Sequence, residues 1–184
     1  MLIIFSGLPG SGKTTIARAL AREIRAVYLR IDTIEDILSD SPWVDVGEDM
    51  GPIGYNVAIA VALDNLAAGN LVITDSVNPI ALSRQCYHQA ARDADSRWLD
   101  VHITCSDTTE HRRRVEERRR TSPGKRLPNW ARVQAREFHP WQVTPSCPFI
   151  ELDTAALTQD ACVAAILERL EALIPDDKIV QAND

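Results

Sequence analysis

The sequence predicts an α/β fold with three layers, in which a parallel sheet of five strands lies between helices on both faces. Two observations support this prediction. Short apolar stretches alternate with longer helix-favouring stretches along the chain, and such alternation is typical of parallel sheets built from βα units. A glycine-rich segment also follows the first apolar stretch directly, at the position where open α/β sheets bind ligands.

The expected elements follow from this alternation. We expect strands at residues 2–6, 26–31, 71–75, 98–104 and 148–152. We expect helices near residues 13–25, 33–39, 53–68, 80–94, 108–120, 130–139 and 160–173, with a short basic lid at about 118–130. Residues 1–184 are expected to form a single domain, since 45% of them are hydrophobic and can build one core. The polar segment 175–184 is expected to fray.

Composition narrows the class of protein. The net charge of −6 argues against general nucleic-acid binding. We expect a cytoplasmic protein without membrane spans, since no apolar run is long enough and no secretory leader precedes the first strand. The four cysteines form no C-x-x-C pair and are expected to be reduced core residues. The charge is uneven, because residues 112–126 hold eight of the 20 basic residues whereas residues 32–49 hold seven acidic residues and no basic one.

Residues 7–14 match the pattern G-x-x-x-x-G-K-[ST] of a phosphate-binding loop, the Walker A motif. Glycines let the backbone wrap closely around a phosphate chain, with its N–H groups pointing inward and some residues at positive φ. Lys13 is expected to reach the β- and γ-phosphates, and Thr14 to supply a hydroxyl for Mg²⁺. We therefore expect ATP and Mg²⁺ as ligands, although the motif alone does not distinguish ATP from GTP. The predicted nucleotide-binding residues are Gly7, Leu8, Pro9, Gly10, Ser11, Gly12, Lys13, Thr14 and Thr15.

Asp32 directly follows the second predicted strand, so its carboxylate is expected at the same edge of the sheet as the phosphate loop. There it would orient an acceptor hydroxyl and accept its proton, as a catalytic aspartate does in phosphoryl transfer. A structural alternative is open, because Asp32 with Glu35 three residues later also fits a helix N-cap. The two roles do not exclude each other.

The stretch 71–75 is an apolar strand that ends in an acid, which is the Walker B pattern. An aspartate at this place commonly holds Mg²⁺ or one of its waters, although many strands also end in an acid that caps the next helix. Asp75 is therefore predicted, together with Thr14, as a metal ligand.

Residues 110–120 are helical by composition and rich in arginine, and residues 121–128, with two prolines and a glycine, end the helix. Such a segment beside a phosphate site is expected to close as a lid, which excludes water and brings guanidinium groups to the transferred phosphoryl group. Arg114 and Arg118 share one helix face at i, i+4, so one of them is the expected catalytic arginine. The other arginines are expected to be solvated or paired with glutamates of the same helix.

Together these features make the sequence resemble the small P-loop kinases that include the gluconate kinase, chloramphenicol phosphotransferase, zeta-toxin and polynucleotide 5′-kinase groups. The resemblance covers most of the chain and rests on residues 7–14, Asp32, the V-I-T-D-S-V-N-P stretch ending at Pro79, and Arg114 with Arg118. It implies a P-loop NTPase fold and an ATP- and Mg²⁺-dependent kinase. In such a kinase the strand-end aspartate acts as base, the loop lysine and threonine hold ATP and Mg²⁺, and a lid arginine stabilises the transition state.

This chain departs from that pattern at a residue that contacts the acceptor in many relatives. Many relatives carry an arginine three residues after the strand-end aspartate, whereas this chain has Glu35 within an acidic stretch. The reversed charge disfavours a polyanionic acceptor and favours one with an amine, and Trp43 would add a ring face for a cation or sugar. Alternatively, residues 35–49 are a solvated acidic loop in which Glu35 only caps a helix. The predicted substrate contacts are Asp32, Glu35, Trp43, Asn78 and Arg84.

We therefore expect a phosphotransferase that moves the γ-phosphate of ATP to a hydroxyl of a small molecule, with an amine-bearing sugar or aminocyclitol as one candidate. The alternatives are a polynucleotide 5′-hydroxyl kinase and a nucleotide-gated regulatory module with slow hydrolysis. Asp32 distinguishes the classes, because a regulatory module needs no acceptor-side carboxylate. The sequence identifies neither the acceptor nor the oligomeric state.

Overall fold

The computed structural model of the chain describes residues 1–42, 51–123, 127–144 and 147–173. Within these ranges the chain forms a parallel sheet with the strand order β2-β3-β1-β4-β5. The strands are β1 Leu2–Ser6, β2 Val27–Arg30, β3 Val72–Asp75, β4 Trp98–Thr104 and β5 Phe149–Asp153. The predicted five-stranded parallel sheet is confirmed.

Helices connect these strands. They are α1 Lys13–Glu23, α2 Ile31–Asp40, α3 Ile53–Ala67, α4 Ala81–Asp93, α5 Thr108–Thr121, α6 Trp130–Gln134 and α7 Gln159–Leu173. None of the helices in the described ranges is long and apolar enough to cross a bilayer.

The central strand β1 divides the core between the two faces of the sheet. Successive side chains of a strand point to opposite faces. Ile3 and Phe5 are buried in a cluster with residues of α1 and α7, whereas Leu2 and Ile4 are buried with residues of α3 and α4. Helices therefore cover both faces, which confirms the predicted three layers.

The carboxyl ends of β1, β2 and β3 meet at one edge of the sheet. Arg30 at the end of β2 lies in register with Asp75 at the end of β3, and Asp75 lies in register with Phe5 of β1. The chain leaves this edge into the phosphate loop after β1 and into α2 after β2. The topology thus brings the loop, Asp32 and Asp75 to the same edge, as the sequence predicts.

The N-cap alternative for Asp32 is wrong. Helix α2 begins at Ile31 directly after β2, its N-cap residue is Arg30, and no side chain caps it by a hydrogen bond. Because no loop separates the strand from the helix, Asp32 becomes the second helical residue. Its charge still lies in the first turn, where the helix dipole favours an anion.

Two further expectations need correction. Helix α6 ends at Gln134 rather than near residue 139, since the chain then extends toward Pro140 and a residue before proline disfavours helical geometry. The cysteines do not all lie in the core, because Cys86 is exposed while Cys105 and Cys162 are buried. All four cysteines have free thiols.

Candidate active site

The phosphate loop connects β1 to α1 in a conformation that needs glycine. Gly7 has φ 146°, and a Cβ atom at this position would lie only 2.3 Å from the carbonyl oxygen of Ile103. Gly12 has φ 96° and directly precedes α1, so the first helical residue is Lys13. Both positions show the glycine-dependent backbone that the motif predicts.

The loop presents donors without protein acceptors. Within the described residues, the backbone N–H groups of Gly10, Gly12, Lys13 and Thr14 donate no hydrogen bond. The buried hydroxyl of Ser11 also lacks a partner. Unpaired N–H groups at the positive end of a helix form a site for an anion. The loop therefore fits the phosphates of a nucleotide.

Two residues brace the loop from outside. Nε2 of His111 on α5 donates to the carbonyl oxygen of Pro9 across 2.9 Å, and the ring is nearly buried. The hydroxyl of Thr154, just after β5, lies 2.8 Å from the carbonyl oxygen of Ser11. These contacts fix the backbone carbonyls and leave the N–H groups for a ligand.

Arg114 belongs to this bracing rather than to the reaction. Its guanidinium donates to the hydroxyl of Thr154 across 2.8 Å and to the carbonyl oxygen of Thr154 across 3.2 Å, and its Nε donates to Glu110 across 2.8 Å. With these acceptors Arg114 supports the loop through Thr154. The prediction that it serves as a catalytic arginine is not favoured by these contacts.

Lys13 and Asp75 are buried side by side in the site. Burial lowers the pKa of the Lys13 ammonium, and the negative charges of Asp75 and Asp32 partly offset this effect. Oδ2 of Asp75 accepts a hydrogen bond from the hydroxyl of Tyr28 across 2.6 Å and lies 3.8 Å from Nε of Arg30. Burial and the charge of Asp75 raise the pKa of Tyr28, so the phenol stays protonated as a donor.

The donor set fits a magnesium ion. Oδ1 of Asp75 is buried and has no hydrogen-bond partner, and Thr14 lies half-buried in the first turn of α1. Hydroxyl and carboxylate oxygens are the ligands that Mg²⁺ prefers, and this ion usually completes its shell with water and substrate phosphates. Among the described residues no group of three or more His, Cys, Asp or Glu side chains is placed to hold a metal. A Mg²⁺ ion held by Thr14 and Asp75 would therefore need further ligands from water and nucleotide phosphates.

Asp32 lies among the cations of the site. Its side chain is 42% exposed, its Oδ2 accepts from Arg30, and the same oxygen lies 3.5 Å from Nη2 of Arg118. Burial by itself would raise the pKa of this carboxyl, but the charges of Lys13, Arg30 and Arg118 outweigh it and lower the pKa. Asp32 is therefore ionised at neutral pH and open to a ligand.

Arg118 and Arg114 share a helix face but have different surroundings. Arg118 lines the same cavity as Lys13 and Asp32, whereas Arg114 does not. Other arginines of α5 pair with glutamates one turn away, with Arg119 near Glu116 and Arg120 near Glu117. The expected intrahelical pairing is confirmed.

A cavity of about 280 Å³ joins these groups. We call one part the phosphate end, which is lined by Pro9, Lys13, Arg118, Leu127 and Pro128. We call the other part the far end, which is lined by Glu35, Asp36, Ser39, Tyr55 and Arg136. Asp32 lies between the two ends, because its pKa is influenced by Lys13 and Arg118 while its own charge influences Glu35.

Helix α2 supplies most of the far end. Asp32, Glu35 and Ser39 recur at helical spacing and line the cavity together with Asp36. Burial raises the pKa of Glu35, the charges of Asp32 and Asp36 raise it further, and Arg136 partly offsets them. The far end is thus acidic with one opposing cation among the described lining residues.

Four residues of the site escaped sequence reasoning. Tyr28 and Arg30 lie two residues apart in β2, on the same face, and both contact Asp75. Their period-two spacing just before Asp32 was a usable signal. Tyr55 and Arg136 come from α3 and from the residues after α6, and only tertiary packing brings them to the cavity.

Two predicted substrate contacts are placed elsewhere. The side chain of Asn78 is fully buried and accepts from the hydroxyl of Ser83 across 2.6 Å. Arg84 is nearly buried, donates to the carbonyl oxygens of residues 78, 79, 139 and 140, and has its guanidinium carbon 4.0 Å from the ring centre of Trp141. Neither residue lines the cavity, and these contacts favour structural roles over the predicted substrate contacts. Trp43 lies outside the described residues.

Comparison with known proteins gives concordant results. Residues 2–138 match the model of a family described as an AAA domain. A protein of Pseudomonas aeruginosa described as a probable adenylyl-sulfate kinase is 26% identical over 168 residues, which cover 90% of this chain and 74% of that protein. Kti12 of Chaetomium thermophilum, solved with ADP-AlF3, superposes with a TM-score of 0.71 at 23% identity and covers 95% and 100% of the two chains. The Mycobacterium tuberculosis APS kinase CysC, solved with AMPPNP and APS, has a TM-score of 0.64 at 20% identity and covers 92% and 96%.

Proposed function

Because the chain belongs to the AAA domain family of small P-loop kinases, we propose that it transfers the γ-phosphate of ATP to a hydroxyl group of a small molecule. The observation that carries this proposal is the position of Asp32, a partly exposed carboxylate in the same cavity as Lys13 and Arg118. A protein that only binds a nucleotide as a regulatory switch needs no such acceptor-side carboxylate.

In the proposed reaction the acceptor oxygen bonds to the γ-phosphorus while the bond from that phosphorus to the bridging oxygen breaks. ADP leaves with the bonding electron pair, and the acceptor proton passes to Asp32. Lys13 and the unpaired N–H groups of the loop bind phosphate oxygens, and Arg118 contacts the transferred group from α5. Mg²⁺, held by Thr14 and Asp75, would neutralise phosphate charge.

The charges of Lys13, Arg30 and Arg118 lower the pKa of Asp32, which bears on how it would act. A carboxylate of low pKa is a weak base toward a hydroxyl group, so proton removal before attack would be slow. The transition state of phosphoryl transfer is loose in most analyses, with little bonding to the acceptor. We expect the proton to leave late, so the charged Asp32 carboxylate first orients the hydroxyl by accepting its hydrogen bond and then takes the proton.

The direct test is Asp32→Asn. This change keeps the shape of the side chain but removes its charge and its ability to take a proton. We expect ATP affinity to persist and transfer to the acceptor to fall by about 10²–10⁴-fold, measured as ADP release and by ³¹P NMR of the product. Asp40→Asn, at the exposed end of the same helix, is the matched control. A loss below about tenfold would contradict the proposed role of Asp32.

The cavity also favours one class of acceptor. Its volume of about 280 Å³ lies just below the usual range for small-molecule sites, about 300–1,000 Å³. Glu35 and Asp36 at the far end repel an acceptor that carries several phosphates. Both features support a small, amine-bearing acceptor over the 5′ end of a polynucleotide. Productive, tight binding of DNA 5′-hydroxyl ends in a competition assay would favour the polynucleotide instead.

A further inference from the structure

Two opposite charges at the far end of the cavity, Glu35 and Arg136, neither pair with each other nor bond to another described residue. On the basis of the proposed function, we infer that the acceptor carries an ammonium group and a carboxylate in addition to its hydroxyl. Glu35 binds the ammonium group and Arg136 binds the carboxylate. The acceptor is thus a small zwitterionic hydroxy compound, of the size of an amino acid or an amino sugar acid.

Glu35 is the first of the two charges. Its side chain is half-buried against Gly54, where an added Cβ atom would lie 2.7 Å from Cγ and 2.9 Å from Oε1 of Glu35. Within the described residues its carboxylate has no hydrogen bond and no salt bridge. Removing a carboxylate from water without a partner is costly, and a ligand ammonium group would compensate that cost.

Arg136 is the second charge. It follows α6 directly, lines the cavity, and its guanidinium makes no hydrogen bond or salt bridge with another described residue. The chain that carries it is fixed nearby, because Arg84 binds the carbonyl oxygens of residues 139 and 140. A planar guanidinium matches a carboxylate in a two-point contact. The position therefore suits the anionic group of a small ligand.

The two charges are close but separate. No salt bridge within 4.0 Å joins Glu35 to Arg136 in the described residues, yet Arg136 influences the pKa of Glu35, and both influence the pKa of Tyr55. Tyr55 lines the same cavity and thus lies near both. Asp32, which takes the hydroxyl, is also coupled to Glu35. Hydroxyl, ammonium and carboxylate would then each face one matching side chain.

The test uses two matched sets of hydroxyl compounds. In the small set, L-homoserine carries both charges, 3-aminopropan-1-ol lacks the carboxylate, and 4-hydroxybutyrate lacks the amine. In the larger set, 2-amino-2-deoxygluconate carries both charges, 2-amino-2-deoxysorbitol lacks the carboxylate, and gluconate lacks the amine. In at least one set we expect kcat/KM for the zwitterion to exceed each singly charged partner by about 10-fold or more, since a charge-assisted hydrogen bond is worth about 1.5–3 kcal/mol.

Two variants assign the charges. Arg136→Gln should abolish the preference for the zwitterion over the amino alcohol, and Glu35→Gln should abolish its preference over the hydroxy acid. Arg132→Gln on α6 and Asp40→Asn on α2 are exposed and do not line the cavity, so both preferences should persist in these controls.

The outcomes separate this inference from the proposed function. Equal or better use of a singly charged compound, or selectivity that Arg136→Gln leaves unchanged, would overturn the zwitterion while the kinase stands. Such a result is expected if Glu35 and Arg136 simply pair with each other when ATP binds. Failure to phosphorylate any compound of either set, with ATP bound normally, would also overturn the zwitterion, whereas the proposed function would be overturned only if a broad screen of hydroxyl compounds gave no ATP-dependent phosphorylation.

Discussion

The two ends of the cavity differ in how firmly their groups are held by the rest of the protein. At the phosphate end the loop backbone is fixed by glycine geometry, by His111 and by Thr154, and Lys13 is buried. At the far end Glu35 is only half-buried and, like the exposed Arg136, has no partner among the described residues. The phosphate end is thus preorganised, whereas the far end has unpaired charges that we propose bind the acceptor.

This difference indicates which property a substitution at each end should change. A preorganised phosphate site works because its dipoles need no rearrangement during reaction, so changes there should cost rate. The unpaired charges of Glu35 and Arg136 at the far end should lower the stability of the unliganded protein. Removing one of them should therefore impair acceptor selectivity but raise the stability of the unliganded protein. The following predictions test this contrast.

The largest effect is expected for Lys13→Ala. The change removes the buried ammonium group that we propose binds the transferred phosphate, so turnover should fall by about 10³-fold or more. Circular dichroism should show an intact fold, because the apolar core clusters do not include Lys13. Normal turnover in this variant would contradict the assignment of the phosphate loop.

Arg118→Ala should come next. A guanidinium that contacts the transferred group acts chiefly in the transition state, so kcat should fall by about 10²–10³-fold while ATP affinity changes little. Arg112→Ala, an exposed residue of the same helix, is the control and should have little effect. If ATP affinity collapsed and the rate at saturation did not, Arg118 would be a ground-state contact.

Gly54→Ala should have a moderate effect limited to the far end. The added methyl group overlaps the side chain of Glu35 and should displace it, raising KM for the acceptor roughly tenfold, the equivalent of about 1.4 kcal/mol. KM for ATP should stay unchanged. In a Glu35→Ala background, which has no side chain to displace, the same change should not raise KM further. An equal rise in both backgrounds would mean that Gly54 acts through the helix rather than through Glu35.

The smallest effect concerns stability and should have the opposite sign. The folded state raises the pKa of Glu35 above its ordinary value of 4.5, so the unfolded chain loses this proton first as pH rises. Glu35 therefore destabilises the folded protein at pH values above its unfolded-state pKa, where its carboxylate is ionised, and has no such effect at lower pH. Glu35→Gln should raise the melting temperature of the unliganded protein slightly at pH 7 and not at acidic pH. A lower melting temperature at pH 7 would show that Glu35 has a stabilising partner.

The same contrast explains what the sequence predicted and what it did not. The phosphate loop lies in one contiguous stretch, and Asp32 and Asp75 follow parallel strands whose ends must meet at one edge, so local pattern and topology sufficed. Arg136 lines the same cavity as Glu35 only through tertiary structure, which no local pattern encodes. Arg84 was misassigned because a sequence does not reveal whether a guanidinium meets a ligand or, as here, backbone carbonyls and the ring of Trp141.

The strand order has a consequence for how the protein is made. The phosphate loop follows β1, yet β1 pairs with β3 and β4, which lie at residues 72–75 and 98–104, and the loop is braced by Thr154. On the ribosome the loop therefore emerges long before the strands that hold it, and such nonlocal pairing forms slowly. A nascent chain lacks a complete nucleotide site, so ATP stabilises only the nearly finished fold and cannot assist its early steps.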